Sequence, residues 1–342
     1  MDRDGDDAEC AARLFGCSLY YGPPSPRLVR ILITDGLEPA AVDRLKAHHE
    51  VVVGEPSPEQ LLELLEGTAA LIVRSRTKVT KAVIDAATDL KVIARAGVGV
   101  DNIDVDAATA RRIPVVNAAT ASTTAVAELA IGHMLSLARH LPEAHETTRA
   151  GKWEKKRFEG SELRGKVLGL LGSGRIGGEV ARLAQAFGMR TISFDPYLPP
   201  EVAKQRGIDL VDLETLLRTS DFLSVHAALT PETRHMLGKD QFSRMKRSAY
   251  VVNCARGEIV DEAALAAALS AGTIAGAALD VFQKEPPAGS AVLSAPNVRF
   301  TPHLGAATKE AQERVGEMVA DDVLRVLRGE RPQSCVNPKA IL

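Results

Sequence analysis

From residue 28 onward, short runs of β-branched and aliphatic residues alternate with stretches whose apolar positions recur at helical spacing. The runs at 28–33, 51–53, 69–73, 91–94 and 114–116 are apolar on both faces, and amphipathic stretches fill the gaps. Strands that are apolar all round and separated by helices make a parallel sheet covered on each side. The pattern therefore predicts an α/β domain complete by about Asn117. A second alternation starts at Lys166 and predicts strands at 166–171, 191–194, 222–225, 249–253, 276–279 and 298–301, hence a second parallel sheet.

Between the two alternations, residues 122–150 read as one long helix with a stripe formed by Val126, Leu129, Ala130, Met134, Leu137 and Leu141. A helix of that length suits a crossover between two α/β units, and its stripe suits either an ordinary core face or a dimer interface. A last helix at 308–328 is followed by a tail containing Pro332 and Pro338, which is expected to return to the first domain.

The strand at 166–171 runs directly into Gly172-Ser-Gly174-Arg-Ile-Gly177, and an amphipathic helix follows. Strand, glycine turn and helix in this order form a dinucleotide cradle. The first glycine allows the tight turn, the second lets a pyrophosphate approach the backbone, and the third lets the helix pack closely. The exposed N–H groups of the helix start receive the phosphates. Asp195 ends the next strand, where a carboxylate holds both ribose hydroxyls and repels a 2′-phosphate. NAD is therefore the expected cofactor, with Arg190 and Arg206 as the nearby cations that could accommodate NADP.

Three polar residues follow strands of the second sheet: Arg256, Glu285 and His303. Carboxyl ends of strands line the ligand crevice in such sheets, so all three are expected to face the nicotinamide. Oxidising a secondary alcohol needs a base for the hydroxyl proton while hydride leaves, and histidine titrates in the right range. His303 is the candidate acid/base, Glu285 the group that orients its ring, and Arg256 the planar fork for a carboxylate. Across the first domain, Arg74-Ser75-Arg76 and Arg95-Ala-Gly97-Val98-Gly99 each follow a strand and offer N–H groups and charge to an anionic substrate. The basic cluster Lys152, Lys155, Lys156 and Arg157 near Trp153 extends that field or is simply a solvated face.

Composition narrows the classes. A chain of 342 residues suits two domains with a cleft. With 42 basic and 44 acidic residues it has no overall field toward nucleic acid or a lipid surface. No apolar run reaches the roughly 18 to 20 residues of a membrane span. Cys10, Cys17, Cys254 and Cys335 lack metal-ligand or redox spacing, so a reducing, cytoplasmic setting and no metal are expected. The acidic opening Met1-Asp2-Arg3-Asp4-Gly5-Asp6-Asp7 has the wrong sign for a secretory or mitochondrial signal, and residues 1–27 are expected to be a disordered leader.

Together, several motifs resemble the D-isomer-specific 2-hydroxyacid dehydrogenase family. They are Arg74-Ser75 with Thr77-Lys-Val-Thr80, Arg95-Ala-Gly-Val-Gly-Val-Asp-Asn102, Gly151-Lys-Trp153, the glycine turn, and Val252-Asn-Cys-Ala-Arg-Gly257. Ala278-Leu-Asp-Val-Phe282 with Glu285-Pro-Pro287, and Thr301-Pro-His-Leu-Gly305, complete the set. The resemblance covers residue 28 to the C-terminus. It implies two doubly wound parallel-sheet domains, a Rossmann-type NAD-binding domain (122–304) inserted into a flavodoxin-like substrate domain (28–121 and 305–342). It implies Arg256, Glu285 and His303 as the catalytic trio. Val98, Gly172, Gly174, Arg175, Ile176, Gly177, Asp195, Ala227, Cys254, Ala255, Asp280, Gly305 and Ala306 join Arg256 and His303 around NAD. Arg74, Ser75, Arg95, Gly97, Val98, Gly99 and Lys155 surround a small anionic 2-hydroxy acid.

Within the family, the resemblance implies NAD-dependent oxidation of D-3-phosphoglycerate to 3-phosphohydroxypyruvate, the first step of serine biosynthesis, by a homodimer or dimer of dimers. A glyoxylate or hydroxypyruvate reductase on the same scaffold is the alternative. A non-catalytic NAD-sensing corepressor is a remote one, and the intact trio speaks against it. Two departures qualify the resemblance. Ala227-Ala228-Leu229 stands where the family often has a proline, and the chain stops at Leu342 where many relatives continue into a serine-sensing domain. Serine inhibition through such a domain is not expected.

Overall fold

The computed structural model describes residues 28–342, so the expected leader lies outside the described residues. The first sheet contains β1 (Arg30–Ile33), β2 (Glu50–Val53), β3 (Thr68–Val73), β4 (Val92–Arg95) and β5 (Val115–Asn117), in the order β2-β1-β3-β4-β5. The second contains β6 (Val167–Leu171), β7 (Arg190–Phe194), β8 (Asp209–Leu210), β9 (Phe222–Val225), β10 (Tyr250–Asn253), β11 (Gly276–Leu279) and β12 (Val298–Phe300). Its order is β12-β11-β10-β9-β6-β7-β8, and every strand pair in both sheets is parallel.

All residues of β3, β9 and β11 are buried, as strands covered on both faces require. Apolar clusters lie on each side of each sheet: Ile31, Ile33, Ala70 and Ile72 face one layer of helices, and Leu32, Leu71, Val73 and Ile93 the other. Both sheets are doubly wound. In each, the strand order reverses beside the first strand, between β1 and β3 and between β6 and β9, which opens a crevice at the carboxyl ends.

The long helix expected at 122–150 is two helices, Thr123–Arg139 and Leu141–Arg149. They meet at His140, which adopts a left-handed conformation with φ 51°. The reason is Pro142, which has no N–H for the carbonyl of Ala138 and whose ring would collide with it. That carbonyl accepts instead from Ser161 N–H at 2.9 Å. Val126, Ala130, Met134 and Leu137 form the buried stripe, whereas Leu141 is 52% exposed and falls outside it. The stripe packs against the helix Arg175–Ala186 that follows the glycine turn.

The C-terminal helix Lys309–Leu327 packs on the helix Pro39–Lys46 and on the first sheet, as expected of a returning segment. The tail beyond it bridges Val116 through Cys335, and Asn337 Oδ1 accepts from Val115 N–H at 2.7 Å. No described helix is long and apolar enough to cross a membrane.

Candidate active site

The glycine turn leaves β6 with Gly172 at φ +88°. A Cβ there would lie 2.8 Å from Ala227 N, and one on Gly177 would lie 2.4 Å from Gly172 O. A Cβ on Gly174 would meet nothing within 4 Å. Two glycines thus close the turn against the protein while the middle one faces open space, and Arg175 begins the helix beside it. Ile176 is partly buried against the core beneath. Asp195 braces the turn: its Oδ2 accepts from Ser173 N–H at 2.8 Å and its Oδ1 from Tyr197 N–H at 3.0 Å.

His226 follows β9 beside this turn. Burial pushes its imidazole down to about 4, so it is neutral at neutral pH. Its ring Nε2 lies 2.8 Å from Ser224 Oγ, and its Nδ1 is buried with no partner. The open space at Gly174 and this orphaned nitrogen fit a dinucleotide laid across the turn. Cys254, after β10, is buried, and burial followed by the charge of Asp280 pushes its thiol up, so it packs rather than reacts as a thiolate.

Beyond β11, Asp280 is fully buried. Its Oδ1 accepts from Thr301 Oγ1 at 2.6 Å and Leu304 N–H at 2.7 Å, its Oδ2 from Gly305 N–H at 2.8 Å, and its carbonyl from His303 N–H at 2.9 Å. The resemblance puts Asp280 against NAD; here the carboxylate turns inward and fastens the loop that carries His303. His303 itself sits at φ 55°. Its Nδ1 donates to Glu285 at 2.8 Å and 3.0 Å, which leaves Nε2 as the free ring nitrogen. Glu285 is fixed in turn by Phe282 N–H at 3.3 Å.

Three arginines lie close enough for their charges to act on one another, Arg74 and Arg95 from the first lobe and Arg256 from the second. Arg256 donates through Nε to Asp101 at 2.9 Å and through Nη1 to Ala255 O at 2.7 Å. A Cβ on Gly99 would fall 1.7 Å from its Nη2, so only glycine lets the guanidinium lie there. Burial, then the charges of Arg74 and Arg256, lowers Arg95 to about 10, which leaves it protonated at neutral pH. Its Nη1 donates to Ala96 O at 2.7 Å, over Gly97. Val98 stays half-buried in the same turn.

Arg74 and Ser75 lie on a loop whose support was missed in the sequence. Asp35, directly after β1, accepts from Arg74 N–H at 2.7 Å, Thr77 N–H at 3.1 Å, Thr77 Oγ1 at 2.7 Å and Arg76 Nε at 3.2 Å. Asn102 Nδ2 donates to Arg74 O at 2.7 Å and Thr77 O at 2.6 Å. The Arg74 guanidinium donates to Gln312 Oε1, and Gln312 Nε2 donates to Ala306 O at 2.6 Å. Gln312 thereby ties the first sheet's arginine to the loop after His303. Lys155 is exposed on a short turn after the helix Leu141–Arg149, and its side chain makes no hydrogen bond or ion pair among the described residues. Neighbouring Trp153 is 84% exposed. No group of three or more metal-ligating side chains occurs among the described residues.

Known proteins carry the same architecture. The D-isomer specific 2-hydroxyacid dehydrogenase NAD binding domain matches residues 131–305. D-3-phosphoglycerate dehydrogenase of Methanocaldococcus jannaschii is 50% identical over 312 residues, which are 91% of this chain and 60% of that protein. The chain thus spans about three fifths of the length of the curated relatives it matches. A glyoxylate reductase structure from Paecilomyes thermophila superposes with a TM-score of 0.84 at 31% identity, covering 91% of this chain and 98% of that one. D-lactate dehydrogenase of Aquifex aeolicus, solved with NAD and lactic acid, superposes with a TM-score of 0.81 at 27% identity over 90% and 99% of the two chains. The glycine turn, the histidine–glutamate pair and these likenesses lead to one conclusion: the chain belongs to the D-isomer-specific 2-hydroxyacid dehydrogenase family and carries its NAD-binding domain.

Proposed function

We propose that this chain oxidises D-3-phosphoglycerate to 3-phosphohydroxypyruvate with NAD, the first step of serine biosynthesis. The observation that carries the reading is a chain, half identical over 312 residues to a protein named for that activity, that holds both the His303–Glu285 pair and a cluster of three arginines. The residues around the turn, Gly172 to Gly177 with Asp195 and Ala227, hold NAD, which supplies the hydride acceptor. Residues 28–121 with 305–342 form the substrate domain, and 122–304 the dinucleotide domain.

The rest of the chemistry belongs to the side chains. Arg256 and Arg95 grip the substrate carboxylate, and Arg256 exchanges Asp101 for it. His303 takes the hydroxyl proton on Nε2 as hydride leaves the same carbon. Glu285 holds Nδ1–H, so the tautomer is set and the imidazolium that forms is stabilised. In the reverse direction the same Nε2 returns the proton to the carbonyl oxygen. Arg74, held out by Asp35 and Gln312, supplies charge for the distal phosphate. The protein acts in the cytoplasm as a homodimer or dimer of dimers.

The exposure of Lys155, which no carboxylate or other side chain holds in place among the described residues, favours a second reading, a reductase of unphosphorylated 2-keto acids such as glyoxylate and hydroxypyruvate. Nicotinamide absorbance decides between them. D-3-phosphoglycerate with NAD should be turned over more efficiently than hydroxypyruvate or glyoxylate with NADH. Efficient reduction of only the unphosphorylated acids would reassign the substrate while leaving the trio and cofactor in place.

A further inference from the structure

Two arginines were candidates for the adenosine end of the cradle, and their partners differ. Arg190 gives Nε and Nη2 to Asp209 at 3.1 Å and 2.9 Å, and that carboxylate neutralises it. Arg206 follows the helix Pro200–Gln205 and reaches back to the glycine turn. Its Nη1 donates to Ser173 O at 2.9 Å and Gly174 O at 3.0 Å. Among the described residues it forms no ion pair, and its Nε and Nη2 make no hydrogen bond. The approach depends on Gly178, where a Cβ would lie 2.7 Å from Nη1.

Ser173 is therefore held from two sides, its N–H by Asp195 and its C=O by Arg206. A carboxylate at this place accepts the ribose hydroxyls, and a neighbouring arginine is what admits a 2′-phosphate. Here both are present. Each oxygen of Asp195 already accepts an N–H, from Ser173 or Tyr197, which weakens its repulsion of a second anion. The unengaged edge of Arg206 offers the planar pair of donors that matches phosphate oxygens.

We propose that Arg206 is a cofactor-specificity residue whose free Nε and Nη2 bind the 2′-phosphate of NADP, so that the site admits NADP as well as NAD. The proposal rests on the reading of the glycine turn as the NAD site. It differs from a purely structural role, in which Arg206 would hold the turn for either cofactor alike.

Calorimetric titration of the full chain with ADP-ribose and with 2′-phospho-ADP-ribose separates these ideas without requiring turnover. ADP-ribose tests the site itself, and the added phosphate tests Arg206. The wild type should bind the two probes within about tenfold of each other. Arg206→Gln should weaken the phosphorylated probe about tenfold and ADP-ribose by less than about threefold, the size expected for one exposed charge-assisted contact. Arg190→Gln should change neither. Equal weakening of both probes, no weakening of either, or a wild type that binds ADP-ribose but not its phosphorylated form would overturn the proposal. Binding of neither probe would remove the dinucleotide site itself, and the role of Arg206 with it.

Discussion

In both sheets the first strand is where the strand order turns back, so each sheet has a crevice at the carboxyl end of that strand. Beside β1 the crevice is filled by the protein: Asp35 takes two N–H groups, the Thr77 hydroxyl and Arg76. Beside β6 it is left open at Gly174, where a Cβ would meet nothing within 4 Å. The same topology thus yields an internal fastening in one lobe and a ligand cradle in the other. The residues immediately after the strand decide which. A carboxylate there occupies the donors and repels anions, whereas glycines leave the donors free for a phosphate.

Filling the open crevice should have the largest effect. Gly177→Val would put carbon 2.4 Å from Gly172 O, and ADP-ribose binding by calorimetry should be lost along with several degrees of melting temperature. Retained binding would mean that this crevice is not the cradle. Emptying the filled crevice should act on the other ligand. Asp35→Ala should raise KM for the hydroxy acid about 10- to 100-fold, because buried donors lose their acceptor, while ADP-ribose affinity stays within about twofold.

The filled crevice should also respond to acid. Burial raises the Asp35 pKa, but the hydrogen bonds from Thr77, Arg74 and Arg76 outweigh it and leave the carboxyl below its ordinary value. A depressed folded value contributes stability above the unfolded pKa, about 4, that is lost as pH falls through the folded one. Melting temperature should therefore fall more steeply below about pH 4 in the wild type than in Asp35→Asn; parallel curves would remove Asp35 from the acid response. The smallest effect is expected at the junction between lobes. Gln312→Met keeps the bulk but loses both hydrogen bonds, and should raise substrate KM by about three- to tenfold with kcat nearly unchanged. A fall in kcat alone would argue against a role through Arg74.

What was legible in the sequence follows the same division. The glycine turn, Arg256, Glu285 and His303 are local signals that follow strands, and the structure brings His303 and Glu285 into contact. Asp35 and Gln312 are not local: they meet Arg74 across 39 and 238 residues, and no periodicity links them. Asn102 stood in plain view within a motif, but its work is done by its side-chain amide on a loop 25 and 28 residues away. The break at His140 was readable from Pro142, and the apolar stripe running through it hid the signal. At two residues, β8 is too short to display alternation at all.

The ion pair between Arg256 and Asp101 spans the two lobes. Under the proposed chemistry an arriving acid does not find a vacant cation; it must displace a carboxylate that is already seated. Binding is then an exchange of anions on one guanidinium, and its net gain is only the difference between two similar pairs. The same competition works on departure, since Asp101 reclaims the arginine as the oxidised acid leaves. A site built this way gives up tight capture in favour of rapid release.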